Sequence, residues 1–539
     1  MNHLAQQHVL VLGLGLSGLA LARWCARCGA QVTVADTRQA PPQLQALRES
    51  LPSARFVRSE MVPDLVVGTD IRMVLKSPGL APAAVTGVMA AAQAQGLPCG
   101  NELTLFAQAL TDLKASQNYA PKVIGITGTN GKTTVTALTG RLLERAGKSV
   151  AVAGNIGPTL LDTLAARLDA AHLPDVWVLE LSSFQLDQVR SFEPAVATVL
   201  NLSEDHLDWH GSMQAYSAAK FNIYGKQGLM LLNRDDAAVM GCLPPLVKGK
   251  QLRVYATFGS DEPQRPGDYG IETVNGMDWL VRAAEADETI KKKKRPHASL
   301  PPEGAVLALG RPSGLVVRPP ASPPPEGAIR AQRQYDDEEV VLHIQRLMPV
   351  EALRIRGRHN ATNALAALAL ADAVGGSMAA MLHGLREYTG EPHRVASVAV
   401  VRDVEYFDDS KGTNVGATLA ALTGLGAERK LVLIAGGDGK GQDFSPLAEP
   451  VTRHARAVIL IGRDAPVIRA ALEGTGVPLF EADSMQSAVE VAAHHAQTGD
   501  AVLMSPACAS FDMFDNYEHR ARVFCDAVRA LAQDAGAVS

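Results

Sequence analysis

Residues 123–134, VIGITGTNGKTT, restrict the possible folds more than any other part of the chain. An apolar segment leads into a turn that contains Gly128 and Gly131, and a helix-favouring segment follows from Lys132. In such a strand–turn–helix unit, backbone N–H groups of the turn and the N-terminus of the helix bind phosphate oxygens. Lys132 would then reach the terminal phosphates of a nucleoside triphosphate, and Thr133 would hold Mg²⁺. The sequence therefore predicts a phosphate-binding loop. Ile126 stands where the usual motif has its first glycine, and an ordinary glycine-containing turn is the alternative.

Composition excludes several classes of protein. The 539 residues suffice for three domains, and 51 basic against 56 acidic residues give a net charge of −5. That balance, with 47% hydrophobic residues, argues against a nucleic-acid-binding protein and against a disordered chain. No Lys or Arg precedes the first apolar run, so we read that run as a strand and not as a signal peptide. No apolar stretch approaches the roughly 18 residues that span a bilayer.

Cysteine usage also bears on the compartment. Six scattered cysteines are typical of a reduced cytosol, and we expect a cytoplasmic protein. Cys25 and Cys28 form a C-x-x-C pair inside an alanine-rich helical segment. Without a second pair or a nearby histidine, packing is favoured there over a metal or redox role.

Residues 8–38 form a second phosphate-friendly unit. An apolar strand, the pattern Gly13-x-Gly15-x-x-Gly18, a helix and a second strand lead to Asp36. This arrangement matches the dinucleotide-binding fingerprint, in which an acidic residue follows about 20 residues later. By itself it predicts an NAD site, and the alternative is a Rossmann-type half that binds another ligand or none. We expect this domain to span residues 1–115.

A central domain, expected over residues 116–391, follows with alternating strands and helices. Asn155 follows one predicted strand, Glu180 ends the next and His206 follows the one after that. Ligands of open parallel sheets bind at the carboxyl ends of the strands, so Lys132, Glu180 and His206 should converge. Because one carboxylate plus phosphate oxygens commonly hold Mg²⁺, the three predict a magnesium site. Each residue taken singly would be interpreted as a loop or capping residue.

Lys220 lies in a helical segment between Tyr216 and Tyr224, each one turn away and therefore on its face. Aromatic neighbours would desolvate the ammonium group, lower its pKa and favour the reactive neutral amine. Periodicity alone favours the alternative, a surface lysine whose stem packs on apolar neighbours.

Residues 284–340 interrupt the pattern. Nine prolines between residues 296 and 325 are too many for a packed element, so we expect a flexible surface insertion, with a basic run at 291–295 that is solvated. A third domain, expected over residues 392–539, carries polar, glycine-rich loops after its strands. These loops contain Asp409, Lys411, Thr413, Lys440 and Ser510. Two lysines at neighbouring strand ends indicate a site for a ligand that bears carboxylates.

Nine segments together resemble the motifs of the Mur ligase family, across about residues 8–535 and outside the proline-rich insertion. They are GITGTNGKTT, LELSSFQL, NLSEDHLD, YSAAKFNIY, RHNATNALAA, EPHR, DDSKGTN, GGDGKG and SPACASFDMF. The resemblance implies three α/β domains: a Rossmann-like N-terminal domain, a central P-loop domain with a mostly parallel sheet, and a Rossmann-like C-terminal domain that closes over the cleft. SSFQL, DSKGTN and SPACAS are most similar to members that add D-glutamate. The implied reaction is ATP-dependent ligation of D-glutamate to UDP-N-acetylmuramoyl-L-alanine through an acyl phosphate, a cytoplasmic step of peptidoglycan precursor synthesis.

The same resemblance implies roles for individual residues. Those expected at ATP are Gly128, Thr129, Asn130, Gly131, Lys132, Thr133, Thr134, Asn363, Arg394 and Asp409. Those expected at Mg²⁺, of which two ions are implied, are Thr133, Glu180, His206 and Lys220, the last as a carbamate formed with CO₂. Those expected to act in catalysis are Lys132, Glu180, His206 and Lys220.

For the other two substrates the resemblance implies two further sets. Those expected at the UDP-substrate are Gly15, Leu16, Ser17, Asp36, Thr37, Arg38, Ser77, Asn155, Ser182 and Gln185. Those expected at D-glutamate are Lys411, Thr413, Lys440, Ser510, Phe511 and Tyr517, where Tyr517 replaces the phenylalanine of a familiar member. This interpretation demotes the NAD site, because a glycine-rich helix start suits either pyrophosphate. It implies a monomer with small-molecule substrates and neither nucleic acid nor a membrane span. A ligase that adds a different amino acid, and an NAD-dependent oxidoreductase with an accessory P-loop, are the alternatives.

Overall fold

A computed structural model describes residues 4–285, 342–427 and 429–536. Three β-sheets, each flanked by helices, follow one another along the chain. The predicted fold class, α/β with three domains, is confirmed. The boundaries that we predict at residues 115 and 391 stay predictions, and the first falls in the last turn of a helix, Glu102–Gln117. Residues 284 and 285 of the predicted insertion end a strand, Met277–Glu285, and the rest of the insertion, with its basic run, lies outside the described residues.

The N-terminal sheet is wholly parallel, with strand order β3-β2-β1-β4-β5. Its strands are β1 (His8–Leu12), β2 (Gln31–Asp36), β3 (Arg55–Arg58), β4 (Met73–Lys76) and β5 (Cys99–Gly100). Its helices are α1 (Leu16–Arg27), α2 (Leu44–Ser50), α3 (Pro82–Ala94) and α4 (Glu102–Gln117). Cys25 is buried in α1, and both it and Cys28 are free thiols.

The central sheet has nine strands in the order β14-β13-β12-β11-β10-β9-β6-β8-β7. They are β6 (Lys122–Thr127), β7 (Val150–Gly154), β8 (Val176–Glu180), β9 (Val196–Val199), β10 (Leu229–Asn233), β11 (Tyr255–Phe258), β12 (Tyr269–Val274), β13 (Met277–Glu285) and β14 (Leu342–Pro349). The strands β6 to β12 run parallel to one another. At one edge of the sheet, β13 pairs antiparallel with both β12 and β14. The strand β6 lies between β8 and β9, where apolar runs are buried on both faces.

Helices pack on both sides of this sheet. They are α5 (Lys132–Arg145), α6 (Leu160–Asp169), α7 (Ser183–Leu186), α8 (Leu207–His210), α9 (Met213–Phe221), α10 (Ala237–Met240), α11 (Arg358–Ala373) and α12 (Met378–Glu387). One apolar core continues from the N-terminal domain into the central domain. In it, Phe106 of α4 meets Trp177 of β8 edge to face, with ring centroids 5.1 Å apart.

The C-terminal sheet has the order β15-β16-β20-β17-β18-β19, and it is parallel except for the β15–β16 pair. Its strands are β15 (Ala396–Val401), β16 (Val404–Asp408), β17 (Leu431–Gly436), β18 (Ala455–Ile461), β19 (Leu479–Glu481) and β20 (Ala501–Met504). Its helices are α13 (Val415–Gly426), α14 (Ala448–His454), α15 (Ala465–Leu472), α16 (Met485–His495) and α17 (Tyr517–Asp534). Short 3₁₀ helices occur at Pro63–Leu65, Asn222–Tyr224, Val350–Ala352, Ser445–Leu447 and Glu473–Thr475. Within the described parts of the chain, the structure contains no helix that is both long and apolar enough to cross a membrane.

The first glycine-rich turn gives a stability prediction. A Cβ atom on Gly18 would lie 2.0 Å from the carbonyl oxygen of Gly13, whereas a Cβ on Gly15 would meet no atom within 4 Å. We expect Gly18→Ala to lower the free energy of unfolding by roughly 1–3 kcal/mol, because backbone must shift to admit the methyl group. Gly15→Ala is the matched control and should leave the midpoint of urea unfolding close to that of the parent. Equal midpoints for the two variants would contradict the close approach of α1 to this turn.

Candidate active site

The loop at residues 128–131 projects from the carboxyl end of β6, between the ends of β8 and β9. Gly131 precedes α5 in a left-handed conformation, with φ of +82°, and a Cβ there would lie 2.8 Å from Asn363 Oδ1. Glycine is therefore required at this position for two reasons: the left-handed backbone conformation and the close approach of α11. The predicted strand–turn–helix unit is confirmed.

Two lysines point their ammonium groups at one carbonyl oxygen of this loop. Lys132 Nζ donates to the carbonyl oxygens of Gly128 at 2.9 Å and Thr129 at 2.8 Å. Lys220 Nζ donates to the same Gly128 oxygen at 2.9 Å. The helices α5 and α9, which are distant in sequence, thus bring two lysine side chains to the predicted phosphate-binding loop.

Lys220 is buried, with 2% of its surface exposed, so the interpretation as a surface lysine is wrong. Its Nζ lies 4.7 Å from the centroid of the Tyr216 ring, as the helical spacing predicts. Tyr224 is in the following 3₁₀ helix, and its hydroxyl oxygen accepts from the N–H of Val199. Burial, and then the charge of Lys132, hold the pKa of Lys220 well below its ordinary value. Burial also lowers the pKa of Lys132, so the surroundings favour a neutral amine.

Glu180 ends β8 beside this pair and is 1% exposed. Its Oε1 accepts from Asn155 Nδ2 at 2.8 Å, whereas its Oε2 is buried without a hydrogen-bond partner. A buried carboxylate oxygen without a partner is unfavourable, and a cation would satisfy it. The residues present therefore fit a divalent metal ion. In the described parts of the chain, however, no group of three or more His, Cys, Asp or Glu side chains could hold one. Phosphate oxygens and water would have to complete the coordination, which is how Mg²⁺ is commonly bound.

His206 occupies the loop after β9 in a left-handed conformation, with φ of +54°. Its ring contacts the Phe184 ring, with centroids 4.7 Å apart, and its Nε2 lies 3.6 Å from Asp205 Oδ2. Burial lowers the pKa of His206, and the ammonium groups of Lys440 and Lys132 act in the same direction, against Asp205. The imidazole is thus kept neutral, the form that can accept a hydrogen bond or bind a metal.

Two contacts connect the loop to the C-terminal domain. Arg394 Nη2 donates to Thr133 Oγ1 at 2.8 Å, and Asn414 Nδ2 donates to Asn130 Oδ1 at 3.1 Å. A cavity between the two domains is lined by most of the residues predicted at ATP. They are Asn130, Gly131, Thr134, Asn363, Arg394 and Asp409, together with Lys411. The structure therefore brings these residues from both domains into one cleft.

Asp409 and Lys411 lie on the C-terminal wall of this cleft, after β16. Asp409 Oδ2 accepts from Ser505 Oγ at 2.7 Å, and burial raises the pKa of Asp409 to about 7. Lys411 Nζ lies 3.6 Å from the centroid of the Tyr517 ring. Burial, and then the Arg394 guanidinium, lower the pKa of Lys411 to about 8.

The remaining residues predicted at D-glutamate lie on neighbouring loops of the same sheet. Thr413 follows Lys411 before α13, and Lys440 follows β17 with φ of +52°. The loop that carries Lys440 is paired to the loop that carries Ser510, through reciprocal backbone hydrogen bonds between Asp438 and Ala509. Phe511, next to Ser510, is 72% exposed. Of this set, Lys411 lines the cleft, and the loops of the others follow strands of the same sheet.

Residues predicted at the UDP-substrate fall into two groups. In the N-terminal domain, Asp36 accepts from the N–H of Leu14 at 2.8 Å and from Arg38 Nε at 2.9 Å. Although burial acts to raise it, the hydrogen bonds from Arg38 and Leu14 lower the pKa of Asp36 to about 2. Asp36 therefore fixes the glycine-rich turn and orients Arg38. Thr37 lies between these two residues, Leu16 is 68% exposed on the turn with Gly15 and Ser17, and Ser77 follows β4 nearby.

The second group lies in the central domain. Asn155 holds Glu180, as described above. Ser182 and Gln185 cap the short helix α7 reciprocally. Gln185 Oε1 accepts from the N–H of Ser182 at 3.0 Å, and Ser182 Oγ accepts from the N–H of Gln185 at 3.2 Å. Both residues are therefore already engaged in local hydrogen bonds.

Sequence reasoning missed the residues that support this site from behind. Asn201 clamps the phosphate-binding loop, since its Oδ1 accepts from Asn130 N–H at 2.8 Å and its Nδ2 donates to Asn130 O at 3.1 Å. Ser505 and Asn414 hold Asp409 and Asn130 in the same way. Asn201 and Ser505 follow the ends of β9 and β20 almost directly. A polar residue just after a predicted strand is therefore the sequence feature that could have identified them.

Known proteins are similar to this chain in all three of its domains. Three family models match: "Mur ligase MurD-like, N-terminal domain" at residues 7–100, "Mur ligase middle domain" at 126–269, and "Mur ligase, glutamate ligase domain" at 393–508. The chain is 61% identical to the UDP-N-acetylmuramoylalanine–D-glutamate ligase of Albidiferax ferrireducens, covering 100% of this chain and 99% of that protein. It is 54% identical to the protein of the same name from Ralstonia nicotianae, with 99% of both covered.

Two solved structures share the fold. MurF ligase of Thermotoga maritima in complex with ADP superposes with a TM-score of 0.54 at 14% identity, covering 98% of this chain and 96% of that one. MurF of Acinetobacter baumannii gives 0.51 at 16% identity, covering 99% of this chain and 91% of the other.

The buried carboxyl of Asp409 gives a prediction with a defined sign. Its pKa is about 7 in the fold against an ordinary 3.8, so between these values the folded state binds more protons than the unfolded state. The contribution of Asp409 to the free energy of unfolding therefore falls as the pH rises through this range. We expect Asp409→Asn to gain stability relative to the parent between about pH 5 and about pH 8, measured by urea unfolding.

Asp36→Asn is the control with the opposite shift. Because the pKa of Asp36 is about 2, its carboxylate is already ionised in both states above about pH 5. The stability lost by Asp36→Asn should thus be the same from about pH 5 to about pH 8. A flat difference for Asp409→Asn as well would contradict the raised pKa.

Proposed function

The chain belongs to the Mur ligase family, and we propose that it joins D-glutamate to UDP-N-acetylmuramoyl-L-alanine with cleavage of ATP to ADP and phosphate. Full-length identity of 61% and 54% to relatives that carry this name supports the choice of substrates. The observation that carries the chemistry is the phosphate-binding loop, where two lysines and the unpaired oxygen of Glu180 meet. Such a site suits a nucleoside triphosphate with a divalent cation.

In this proposal the loop at 128–134 holds the ATP phosphates. Lys132 exchanges its hydrogen bonds with the loop carbonyls for phosphate oxygens, so that a fixed cation faces the γ-phosphate. Thr133, Glu180 and His206 would hold Mg²⁺, with two ions expected, and the metal would neutralise the phosphate charge. Asn363, Arg394 and Asp409 hold the nucleotide from the far side of the cavity.

The substrate carboxylate would then attack the γ-phosphate, giving an acyl phosphate and ADP. The amine of D-glutamate attacks the acyl carbon, the C–N bond forms and phosphate leaves. We assign the carboxylates of D-glutamate to Lys411 and Lys440, with Thr413, Ser510, Phe511 and Tyr517 around them. We assign the UDP end to residues 15–17 and 36–38, and the rest of that substrate to Ser77, Asn155, Ser182 and Gln185. Positioning and charge neutralisation supply most of the catalysis in such a reaction.

Lys220 has a separate proposed role as a carbamate. Its neutral amine would add to the carbon of CO₂ and release one proton, which converts a neutral side chain into an anion at the edge of the metal site. Its burial and the proximity of Lys132 support the neutral amine that this step requires. The domains at 1–115, 116–391 and 392–539, a cytoplasmic location, closure of the C-terminal domain and a monomeric state complete the proposal.

The amino-acid substrate can be tested directly. We expect phosphate release from ATP, Mg²⁺ and UDP-N-acetylmuramoyl-L-alanine to require D-glutamate, with an amide product found by mass spectrometry. L-glutamate, D-alanine, L-alanine, L-lysine and meso-diaminopimelate are the comparison substrates. Phosphate release with one of these amino acids, and not with D-glutamate, would show that it is the substrate in place of D-glutamate. Tight NAD binding with no release for any of them would contradict the ligase.

The carbamate gives a rescue experiment. Lys220→Ala should abolish ligation, and added acetate should restore part of it, because a carboxylate can replace the carbamate oxygens. Lys226→Ala, at an exposed lysine six residues along the chain, is the matched control and should keep full activity. Rescue of Lys220→Ala by methylamine and not by acetate would show that a cation is needed and would contradict the carbamate.

A further inference from the structure

The N-terminus of α4 makes contacts across the boundary between the N-terminal and central domains. Asn101 caps this helix, and its Nδ2 donates to the carbonyl oxygen of Gln185 at 2.8 Å. Glu102, the first helical residue, accepts from the backbone N–H of Leu161 in α6 at 3.0 Å. Ser17, on the glycine-rich turn of the N-terminal domain, also interacts with the Glu102 carboxyl group and acts to lower its pKa. Glu102 thus joins that turn to the central domain.

Glu102 is an unfavourable residue for a purely structural position. It is 1% exposed, and its Oε2 is buried without a hydrogen-bond partner. Burial raises the pKa of Glu102 to about 7, against the hydrogen bonds from Leu161 and Ser17, and Asp162 of α6 adds to the increase. A carboxyl group held in this way costs free energy that an apolar side chain of similar volume would not. Its presence therefore calls for a functional explanation.

The two segments that this junction connects both belong to the surface that we assign to the UDP-substrate. Ser17 follows Gly15 and Leu16, whose side of the turn is open: a Cβ on Gly15 would meet nothing within 4 Å, and Leu16 is 68% exposed. Gln185, whose carbonyl Asn101 holds, belongs to α7 with its cap Ser182. A single helix start therefore fixes one recognition segment in each of two domains.

We propose that Glu102 is a positioning residue for the UDP end of the substrate. By holding Ser17 against the first turn of α6, it sets the orientation of the turn that binds pyrophosphate relative to the central domain, where the carboxylate reacts. The proposal rests on the proposed function. It does not make Glu102 a catalytic residue, because the side chain touches neither the phosphate-binding loop nor the lysine pair.

The test compares Michaelis constants for the three substrates in Glu102→Ala and Glu102→Gln. We expect Glu102→Ala to raise the KM for the UDP-substrate by roughly tenfold, about the loss of one charged hydrogen bond. The KM values for ATP and D-glutamate and the kcat should stay within about threefold, since the other sites are untouched. Glu102→Gln keeps an acceptor for Leu161 and Ser17 and should stay close to the parent. Calorimetric titration with UDP alone should show the same order of affinities.

Arg27→Ala is the matched control, because Arg27 pairs with Asp169 at 2.7 Å across the same domain boundary but away from the glycine-rich turn. It should leave the affinity for UDP unchanged. An equal loss in Arg27→Ala and Glu102→Ala would show that the effect is general domain docking and would overturn the proposal. A uniform change in all three KM values and kcat would overturn it as well.

Two further measurements separate this proposal from its premise. If Glu102→Ala does not fold, Glu102→Asp is the alternative variant, because it withdraws the carboxylate by one methylene group. Glu102→Asp should raise the KM for the UDP-substrate alone. An unchanged KM would overturn the proposal. If the parent binds UDP but forms no amide, the proposed function fails. In that case weaker UDP binding by Glu102→Ala still supports the positioning role, and equal binding overturns it.

Discussion

The carbonyl oxygen of Gly128 accepts hydrogen bonds from two lysines, and the arrangement of the active site depends on this interaction. Lys132 arrives from the helix that the loop starts, and Lys220 from a helix about 90 residues later in sequence. Burial lowers the pKa of both lysines, and the charge of Lys132 lowers that of Lys220 further. The loop is therefore held in a state that an anion would stabilise. A bound phosphate would give Lys132 a stronger acceptor than a carbonyl oxygen.

The parallel central sheet explains why the complementary charge lies next to this pair. With β6 between β8 and β9, the residues at their carboxyl ends come together, and Glu180 and His206 lie there. Glu180 keeps one oxygen on Asn155 and leaves the other unpaired. A cation between this oxygen and a phosphate would satisfy both. In the proposed mechanism, the N-terminal and C-terminal domains present the other two substrates to this point. Glu102 contacts the central domain on one side, and Arg394 contacts it on the other.

Much of this architecture could be predicted from the sequence, because strand periodicity and strand ends are local features. The strand that ends at Glu180, the turn before Lys132 and the loop with His206 are confirmed as elements. For Lys220, periodicity wrongly favours a surface lysine. Its burial depends on how helix α9 packs under the loop, which periodicity does not show. The antiparallel strands β12 to β14 were missed because β13 and β14 are separated by the proline-rich insertion. Glu102 was missed for a similar reason: its partners, Ser17 and Leu161, are 85 and 59 residues away and in two domains.

In the proposed mechanism, Glu180 and the lysine pair together bind a metal–nucleotide complex. The most direct measurement is anomalous diffraction from crystals grown with Mn²⁺ and a non-hydrolysable ATP analogue. We expect a manganese peak within coordination distance of Glu180 Oε2, with Lys132 Nζ moved from the Gly128 carbonyl to a phosphate oxygen. A metal bound elsewhere, with Lys132 still on the carbonyl and Glu180 Oε2 still unpaired, would contradict it.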